Sequence, residues 1–305
     1  MKKKILLPLI TLLLTSCNNA GDISNLKILV PTGAPAVAFY DYLSNDNFTS
    51  VGTPANIVSD MTSNGSDIIV IDTIKGVQAI NAGAPYKLAA NITFGNFFIA
   101  STGNDDNNSM DETDEIVIFG KNQTPDKVFN YIYGSEYNLH FVDSVQDASK
   151  CLISGKTLDL TTTVDYVFIA QPVLTNALSK NTNASIYANI QDLYTEKSNL
   201  DMIQAAIFVK NSANTDDINA FLDDINEDIN SLLNDPDLLI SKTEGLDEQL
   251  VSSKIGVNVT LANKVLKNNN GIGLGFKYVS ENKNSVNEFL KLFNLSISDE
   301  NIYQR

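Results

Sequence analysis

Short apolar segments alternate with segments of helical spacing from residue 26 onward. The first, LKILVP at 26–31, has the length and composition of a buried strand, and PAVAFYDYL after it has the spacing of a helix. Two more strands are predicted at 50–58 (SVGTPANIV) and 66–73 (SDIIVIDT), with helix-length sequence between the strands. Continuous apolar strands are typical of sheets that are covered on both faces. The alternation predicts an α/β sheet with crossover helices.

The next apolar segment, residues 86–102, is long enough for two strands with a break at Phe94-Gly95-Asn96. The stretch that follows, GNDDNNSMDETDE at 103–115, contains no aliphatic side chain. Such a polar connection is typical of an exposed surface loop. We therefore expect the chain to pass from one lobe to another at this loop.

The α/β pattern then repeats in a second unit. Strands are predicted at 115–120 (EIVIFG), 138–143 (NLHFVD) and 165–172 (DYVFIAQP). A helix is predicted to start with Thr124 as its N-cap and Pro125 at its first position, and SVQDASKCLISGK supplies another helix. Two similar α/β units therefore follow one another.

The region beyond residue 200 returns to the first unit. DMIQAAIFVKN at 201–211 predicts a strand that rejoins the first lobe. TDDINAFLDDINEDINSLL predicts an amphipathic helix, because the apolar residues at helical spacing fall on one face. These residues are Ile218, Phe221, Leu222, Ile225, Ile229, Leu232 and Leu233. Further helices are predicted around 248–267 and 285–293.

These elements predict an α/β fold with two lobes, each a sheet flanked by helices. Residues 26–100 and 205–305 form lobe I, and residues 101–204 form lobe II.

The N-terminus has the order of charged, apolar and small residues of a secretory leader. Lys2, Lys3 and Lys4 precede a short apolar run that is too short for a membrane span. Leu14-Thr15-Ser16-Cys17 resembles a bacterial lipobox, in which the cysteine becomes a lipidated N-terminus. We predict a signal peptide at 1–16, lipidation of Cys17 and a tether over 17–25. The alternative is an ordinary signal peptide cut near Ala20.

Charge and cysteine content narrow the function classes. The formal net charge is −15, and nucleic-acid binding depends on basic side chains that neutralise phosphates. The charge therefore argues against a nucleic-acid partner, and the acidic helix residues are interpreted as solubilising surface charge. If Cys17 is lipidated, Cys151 is the only remaining thiol, so no intramolecular disulfide is possible.

No combination of residues indicates a catalytic or metal site. The single histidine, His140, lies between two apolar residues of a predicted strand, and a zinc site needs several imidazoles or thiolates. Cys151 is expected to be a buried thiol. The glycines of NNNGIGLG at 268–275 lack the spacing of a dinucleotide site. We therefore predict no catalytic residue, no metal ion and no cofactor.

Three stretches carry a resemblance to a known family. They are GKNQTPDKVFNYIYGSEYNLHFVDSVQDASKCLISGK, DYVFIAQPVLTNALSK and the tail DENIYQR. Together they resemble type 2 periplasmic binding proteins, in particular the substrate-binding lipoproteins of ABC importers in the nitrate, taurine and thiamine-precursor-like branch. Two features depart from the pattern: 157–164 (TLDLTTTV) is extra sequence, and Gln171 stands where a glutamate is common.

The resemblance implies a monomeric, lipid-anchored protein on the extracytoplasmic face of the cell membrane. It would have two lobes joined by crossing segments. It would hold a small-molecule ligand between these lobes and deliver it to an ABC permease with its ATPase, without being an enzyme. The alternatives are a biosynthetic enzyme on the same two-lobed fold and a surface lipoprotein without a transport role.

The ligand-binding residues follow from the strand positions. In open α/β sheets a ligand lies outside the carboxyl ends of the strands, near helix N-termini. This rule selects Thr32, Gly33, Ala34, Asp72, Thr73, Thr93, Phe94, Gly95, Lys121, Asn122, Gln123, Thr124, Ala170 and Gln171. Their mostly neutral chemistry favours a small polar or weakly charged organic ligand, with Phe94 stacking on a planar group. The alternative is structural: Thr124 and Asp72 only cap helices, and Phe94 belongs to the core.

Overall fold

The computed structural model describes residues 21–105 and 109–305. The predicted leader at 1–16, the lipidation site Cys17 and the first part of the tether lie outside the described residues. Within the described ranges, no helix combines the length and the apolar character that a membrane crossing requires.

The elements alternate along the chain as the sequence predicts. The strands are β1 Ile28–Pro31, β2 Phe48–Val51, β3 Ile68–Asp72, β4 Tyr86–Thr93, β5 Phe97–Ser101, β6 Glu115–Phe119, β7 Asn138–Val142, β8 Tyr166–Ala170, β9 Ser185–Asn189, β10 Ala205–Lys210 and β11 Leu274–Tyr278. The helices are α1 Ala34–Val37, α2 Pro54–Ser63, α3 Thr73–Asn81, α4 Thr124–Tyr133, α5 Val145–Ser154, α6 Val173–Leu178, α7 Ile190–Ser198, α8 Thr215–Asn234, α9 Leu238–Thr243, α10 Glu248–Ile255, α11 Val259–Lys267 and α12 Lys283–Lys291.

The first sheet has the strand order β11-β4-β10-β3-β1-β2. β1 pairs in parallel with β2 and β3, whereas β10 runs antiparallel to β3 and β4. The prediction that a strand beyond residue 200 rejoins the first sheet is therefore confirmed. Helices α1 and α8 to α11 cover one face of this sheet, and α2, α3 and α12 cover the other.

The second sheet has the order β7-β6-β8-β5-β9. β6 is parallel to β7 and β8, and β5 is antiparallel to β8 and β9. Helices α5 and α6 pack on one face, and α4 and α7 pack on the other. The predicted α/β architecture of two sheets flanked by helices is confirmed.

The crossing between the two sheets lies earlier than predicted. β4 belongs to the first sheet and β5 to the second, so the chain changes sheet at Phe94–Asn96 and not after residue 100. Gly95 has a φ of +117°, which lets the backbone turn where a side chain would be strained. The polar stretch at 103–115 joins β5 to β6 within one sheet. The prediction that this stretch marks a change of lobe is wrong. A polar composition indicates an exposed connection, but it does not indicate which sheet the next strand joins.

The predicted strand at 50–58 is also wrong beyond its first residues. β2 ends at Val51, and α2 begins at Pro54. Proline suits the first turn of a helix, since its missing N–H would have no partner there. Ile57 and Met61, one turn apart, are both fully buried against the first sheet. The helical spacing of these two residues was the signal that the apolar composition obscured.

Strands β9 and β11 and helices α7 and α9 were not predicted. β9 lies at an edge of its sheet and is largely exposed over its first three residues, so it lacks the apolar signature of a buried strand. β11 begins within a glycine-rich stretch that favours a loop on composition. Both strands depend on tertiary pairing more than on local sequence.

One hydrophobic core is shared by the two sheets. It joins Ile69 and Phe208 of the first sheet to Ile116 and Phe168 of the second, through α3, α4, α7 and α12. Tyr194 of α7 packs edge-on against Phe289 of α12, with ring centroids 6.0 Å apart. Helix α12, which covers the first sheet, therefore also packs against the lobe that contains the second sheet.

Candidate functional site

The carboxyl ends of β1 and β3 in the first sheet face those of β6 in the second sheet. A cavity of about 320 Å³ lies between these ends and the two crossing segments. Thr32, Asp72 and Lys75 line it from lobe I, and Phe119 lines it from lobe II. A second cavity of about 230 Å³ shares Asp72, Lys75 and Phe119 with the first. We call the two cavities together the main cleft.

Asp72 connects the two lobes across the main cleft. Its carboxylate accepts a hydrogen bond from the Lys75 backbone N–H at 3.2 Å and thereby caps α3. It also accepts one from the Thr124 hydroxyl of lobe II at 3.0 Å. Burial raises the pKa of the Asp72 carboxyl, and the hydrogen bonds with the backbone N–H of Lys75 and with Thr124 partly offset that rise. Asp72 therefore has a capping role and an additional interlobe role.

Thr124 does not cap its helix. Residue 124 is the first residue of α4, Gln123 occupies the N-cap position, and no side chain makes the capping hydrogen bond. The Thr124 hydroxyl is used instead for the bond with Asp72. The alternative that Thr124 only caps a helix is therefore wrong. The alternative that Asp72 only caps a helix is incomplete, because Asp72 caps α3 and also contacts lobe II.

Amide side chains at the wall of the main cleft join the two crossing segments, which are Phe94–Asn96 and the stretch before β10 that contains Gln204. Gln204 Nε2 donates to Asn96 Oδ1 at 2.7 Å, and Asn96 Nδ2 donates to the Gln171 carbonyl oxygen at 3.0 Å. The Gln204 backbone N–H donates to the Thr93 carbonyl oxygen at 3.0 Å. These bonds hold the outgoing strand, the returning strand and the end of β8 in one network. The network lies at the crossing segments, where the two lobes are joined.

The predicted site residues fall into three groups. Thr32, Ala34, Asp72, Thr93, Asn122, Gln123 and Thr124 line the main cleft. Phe94, Gly95 and Gln171 line a different cavity of about 340 Å³, which we call the rear cavity. Gly33, Thr73, Lys121 and Ala170 line none of these three cavities.

Each residue of the last group has another environment. The Gly33 N–H donates to the Ile255 carbonyl oxygen at 3.0 Å. Thr73 is fully buried and Ala170 nearly so. The Lys121 ammonium lies 5.1 Å from the centre of the Phe141 ring, outside the cleft, where a cation–π contact occupies it. Gln171 contributes to the fold as well, because its Oε1 accepts from the Thr175 N–H at 3.1 Å and supports the start of α6.

Several lining residues of the main cleft were missed by the sequence rule. Lys75 lies one turn into α3, and Phe119 is the last residue of β6. Gln204 and Asn96 each precede a strand rather than follow one. The rule considered only carboxyl ends of strands, but an antiparallel strand brings its amino end to the same edge of the sheet. The strand predicted at 201–211 already indicated that such an amino end would reach this edge.

Cys151 and His140, the two side chains outside the cleft that could be reactive, both have contacts within the fold. Cys151 is fully buried, and burial raises its pKa to about 11. The His140 Nε2 contacts the carboxylate of Glu115 on the neighbouring strand. In the described ranges, no group of three or more His, Cys, Asp or Glu side chains could hold a metal ion.

Comparison with known proteins supports the architecture at the level of solved structures. No family model and no curated protein matches the chain. An ABC transporter protein from Parabacteroides distasonis matches with a TM-score of 0.70 and 22% identity, over 88% of this chain and 91% of that one. The aliphatic sulphonate binding protein SsuA from Escherichia coli matches with a TM-score of 0.64 and 12% identity, over 91% and 92%.

A Candida albicans gene product with the generic periplasmic binding protein fold matches with a TM-score of 0.53 and 13% identity, over 90% of this chain and 92% of that one. All three structural matches extend over both lobes, and their low identities carry information about the fold alone. They agree with the two sheets, the crossing segments and the cleft between the lobes described above. The chain therefore has the periplasmic binding protein fold.

Proposed function

We propose that this protein is the lipid-anchored, extracytoplasmic solute-binding component of an ABC importer. It captures a small polar organic ligand between its lobes and delivers it to a permease that works with an ATPase. The observation that carries the proposal is the main cleft, which both lobes line and which the Asp72–Thr124 hydrogen bond spans. The folds of an ABC transporter protein and of a sulphonate binding protein support it.

The lining of the main cleft defines the class of ligand. Asp72 and Lys75 are its only charged side chains within the described residues, so the site is balanced in charge. Asn96 and Gln204 add amide groups, and Phe119 adds an apolar surface. We expect a ligand with an N–H or O–H donor facing Asp72 and an acceptor facing Lys75.

An aliphatic sulfonate fits this lining poorly. A single lysine would have to compensate a full negative charge beside the Asp72 carboxylate, and a like charge at short distance is unfavourable. Lys121 cannot help, because it lies against Phe141. We therefore expect the main cleft to prefer zwitterionic or neutral nitrogen-containing molecules over sulfonates.

The mechanism is closure about the crossing segments. A ligand that touches both lobes binds the closed form more tightly than the open form, and this difference in affinity drives closure. Gly95 and the amide network of Asn96 and Gln204 supply the pivot. The closed form then presents both lobes to the permease in one fixed arrangement.

Thermal unfolding of the full chain tests ligand capture. The panel contains amino acids, nucleobases, aminopyrimidines and sulfonates. A ligand at about 100 times its Kd stabilises by about 2.7 kcal/mol, and we expect this shift from a zwitterionic or neutral member. Asp72→Asn should abolish the shift, whereas Asp247→Asn should keep it, because Asp247 caps α10 away from the cleft.

Two results would contradict the proposal, one for the place of binding and one for capture without turnover. A panel shift of equal size in Asp72→Asn would place the ligand outside the main cleft. Chemical conversion of the bound molecule during incubation would favour the alternative of an enzyme on this fold.

The lipid anchor has a separate test. The proposal rests on the Leu14-Thr15-Ser16-Cys17 sequence and predicts that the full chain enters the detergent phase on Triton X-114 partition. Cys17→Ala should move the protein to the aqueous phase. Equal partition of both proteins would remove the anchor from the proposal and leave ligand capture unaffected.

A further inference from the structure

We propose that the rear cavity is a second ligand site, which takes a small neutral polyhydroxylated molecule. Its volume of about 340 Å³ is at the lower end of the range for small-molecule pockets, roughly 300–1,000 Å³. Both lobes line it: the 268–273 loop contributes from lobe I, and Phe98, Gln191 and Asp192 contribute from lobe II. The inference concerns a different cavity from the main cleft and does not depend on what the main cleft binds.

The two sites lie on opposite sides of the first crossing segment. Thr93 and Asn96 line the main cleft, whereas the residues between them, Phe94 and Gly95, line the rear cavity. The strand order agrees, because β1, β3 and β6 border the main cleft, while β11 and β9 at the other ends of the two sheets border the rear cavity. The rear cavity is therefore not an extension of the main cleft.

The polar lining of the rear cavity has unused hydrogen-bonding capacity. Gln191 donates from Nε2 to the Thr195 hydroxyl at 2.8 Å, but its Oε1 is buried without a partner among the described residues. A buried acceptor without a partner costs free energy unless a ligand or water satisfies it. Gly95 without a side chain leaves this atom room, since a Cβ there would lie 2.9 Å from Gln191 Oε1.

The 268–273 loop, which lines the rear cavity, has a fixed backbone conformation. Asn269 and Asn270 both have positive φ, at 52° and 50°. Asn270 holds the turn, because its Nδ2 donates to the Leu274 carbonyl oxygen at 2.7 Å and its Oδ1 accepts from the Leu274 N–H at 3.1 Å. The Phe94 N–H donates to the Gly273 carbonyl oxygen at 2.8 Å and fixes the loop to the crossing segment. Asn268 and Asn269 remain to face a ligand.

The chemistry of the lining selects the ligand class. Amides both donate and accept, as hydroxyl groups do, and Phe98 offers an apolar face for C–H groups. The Phe94 ring also lines the cavity, but the Lys277 ammonium lies 5.4 Å from its centre and is paired with the Asp201 carboxylate. No lysine or arginine lines the cavity within the described residues, and Asp192 carries its only charge. An anion is therefore disfavoured.

Because the rear cavity lies across the crossing segment from the main cleft, its occupation should affect closure of the main cleft. A molecule that bridges both walls of the rear cavity fixes the angle between the lobes from behind the crossing segment. A rotation that brings the lobes together at the main cleft moves the walls of the rear cavity apart. Occupation of the rear cavity should therefore oppose closure of the main cleft.

Isothermal titration of the full chain with myo-inositol, glucose and glycerol tests the site, with guanidine as a cationic probe and sulfate as an anionic probe. At least one polyol should bind to the wild type. Asp192→Asn combined with Asn268→Ala should weaken that binding about tenfold or more, because hydrogen bonds to a charged group are among the stronger ones. Asp72→Asn is the matched control in the main cleft and should weaken polyol binding far less than the rear-cavity variant does, because Asp72 does not line the rear cavity.

The outcomes separate this inference from the proposed function. Absence of polyol binding, or stronger binding of guanidine or sulfate, overturns the assigned ligand class. Polyol binding that Asp72→Asn removes and the rear-cavity variant keeps would place the polyol in the main cleft and overturn the second site. If no ligand of the thermal-unfolding panel binds in the main cleft, the proposed function fails and the polyol measurements are unaffected.

Discussion

The main cleft and the rear cavity are both lined by the two lobes, yet their chemistry differs. The main cleft contains a carboxylate and a lysine side by side, at Asp72 and Lys75. The rear cavity contains amides and one carboxylate, and no basic side chain among the residues that the structure describes. They are separated by only the short crossing segment Phe94–Asn96. A turn of a few residues is therefore enough to give two faces of one interlobe gap different side-chain chemistry.

The difference has its origin in which ends of the strands meet. The main cleft is bordered by parallel strands, whose carboxyl ends lead into the N-termini of α3 and α4. The rear cavity is bordered by the amino end of β11, by the 268–273 loop and by the first turn of α7, so side-chain amides contribute more of its lining than helix N-termini do. Helix N-termini favour negative partial charge, and side-chain amides favour neutral partners.

The largest expected effect is at the contact that holds the rear loop to the crossing segment. Gly273 has a φ of +72°, and a Cβ there would lie 2.2 Å from the Gly95 carbonyl oxygen. Gly273→Ala should lower the free energy of unfolding by at least about 2 kcal/mol, because strain and a backbone clash add. Gly83→Ala is the control: its φ is +100° and no atom lies within 4 Å of the added Cβ. Urea unfolding should show a clearly smaller loss for the control, and equal losses would contradict the contact.

The next effect separates the capping role of Asp72 from its charge. Asp72→Ala should destabilise by about 1–2 kcal/mol, because α3 loses its cap and the Thr124 hydroxyl loses its acceptor. Asp72→Asn keeps an acceptor oxygen and removes a buried charge, so its unfolding free energy should equal or exceed that of the wild type. A large loss in Asp72→Asn would mean that the charge itself stabilises the fold.

A pH titration sharpens the contrast between buried and solubilising carboxylates. Asp228 of α8 departs from the prediction that the acidic residues of this helix are only surface charge. Burial, followed by the nearby charges of Asp224 and Asp41, raises its pKa to about 7. The folded state thus binds the proton more tightly than the unfolded state, and stability should fall as pH rises from about 4 to 7.

The size of this effect is modest, because Asp228 is only half-buried and solvent screens its charge. Asp228→Asn should flatten the profile by about 1 kcal/mol over that range. Asp72 contributes in the same direction, since its pKa is also raised. The measurement is therefore the difference between the wild type and Asp228→Asn in thermal unfolding at several pH values. Parallel profiles would contradict the raised pKa of Asp228.

The smallest effect is expected at Lys121. Its ammonium faces the Phe141 ring at 5.1 Å and not the main cleft. Lys121→Ala should change stability by under about 0.5 kcal/mol, as is usual for exposed positions, and should leave the ligand-induced thermal shift intact. Lys75→Ala should remove that shift. A lost shift in Lys121→Ala would show that Lys121 moves into the cleft on binding.

Much of the fold could be predicted because the central strands are apolar runs with helices between them. β3 and β8 are buried along their length, so composition alone identifies them. β9 and β11 could not be predicted, because an exposed edge strand and a glycine-containing strand form through pairing with neighbours. Helix α2 was missed because the apolar character of 50–58 was given more weight than its spacing.

The candidate site divides in the same way. Thr32, Asp72 and Thr124 were found because they follow strands and precede helices. Gln204 was missed, since antiparallel strands reverse the rule, and Lys75 was missed because the rule stopped at the first residue of the helix. The separation of Phe94 and Gly95 from Thr93 could not be predicted. It depends on the direction in which neighbouring side chains leave a turn.

Native mass spectrometry of the protein after equilibration with a cell metabolite extract tests the central claim most directly. The account predicts that the wild type retains one small, charge-balanced molecule with its chemical structure unaltered, and that Lys75→Ala and Asp72→Asn retain none. Retention of the same molecule by all three proteins, or of a transformed product by the wild type, would contradict the assignment of the main cleft as a site of solute capture.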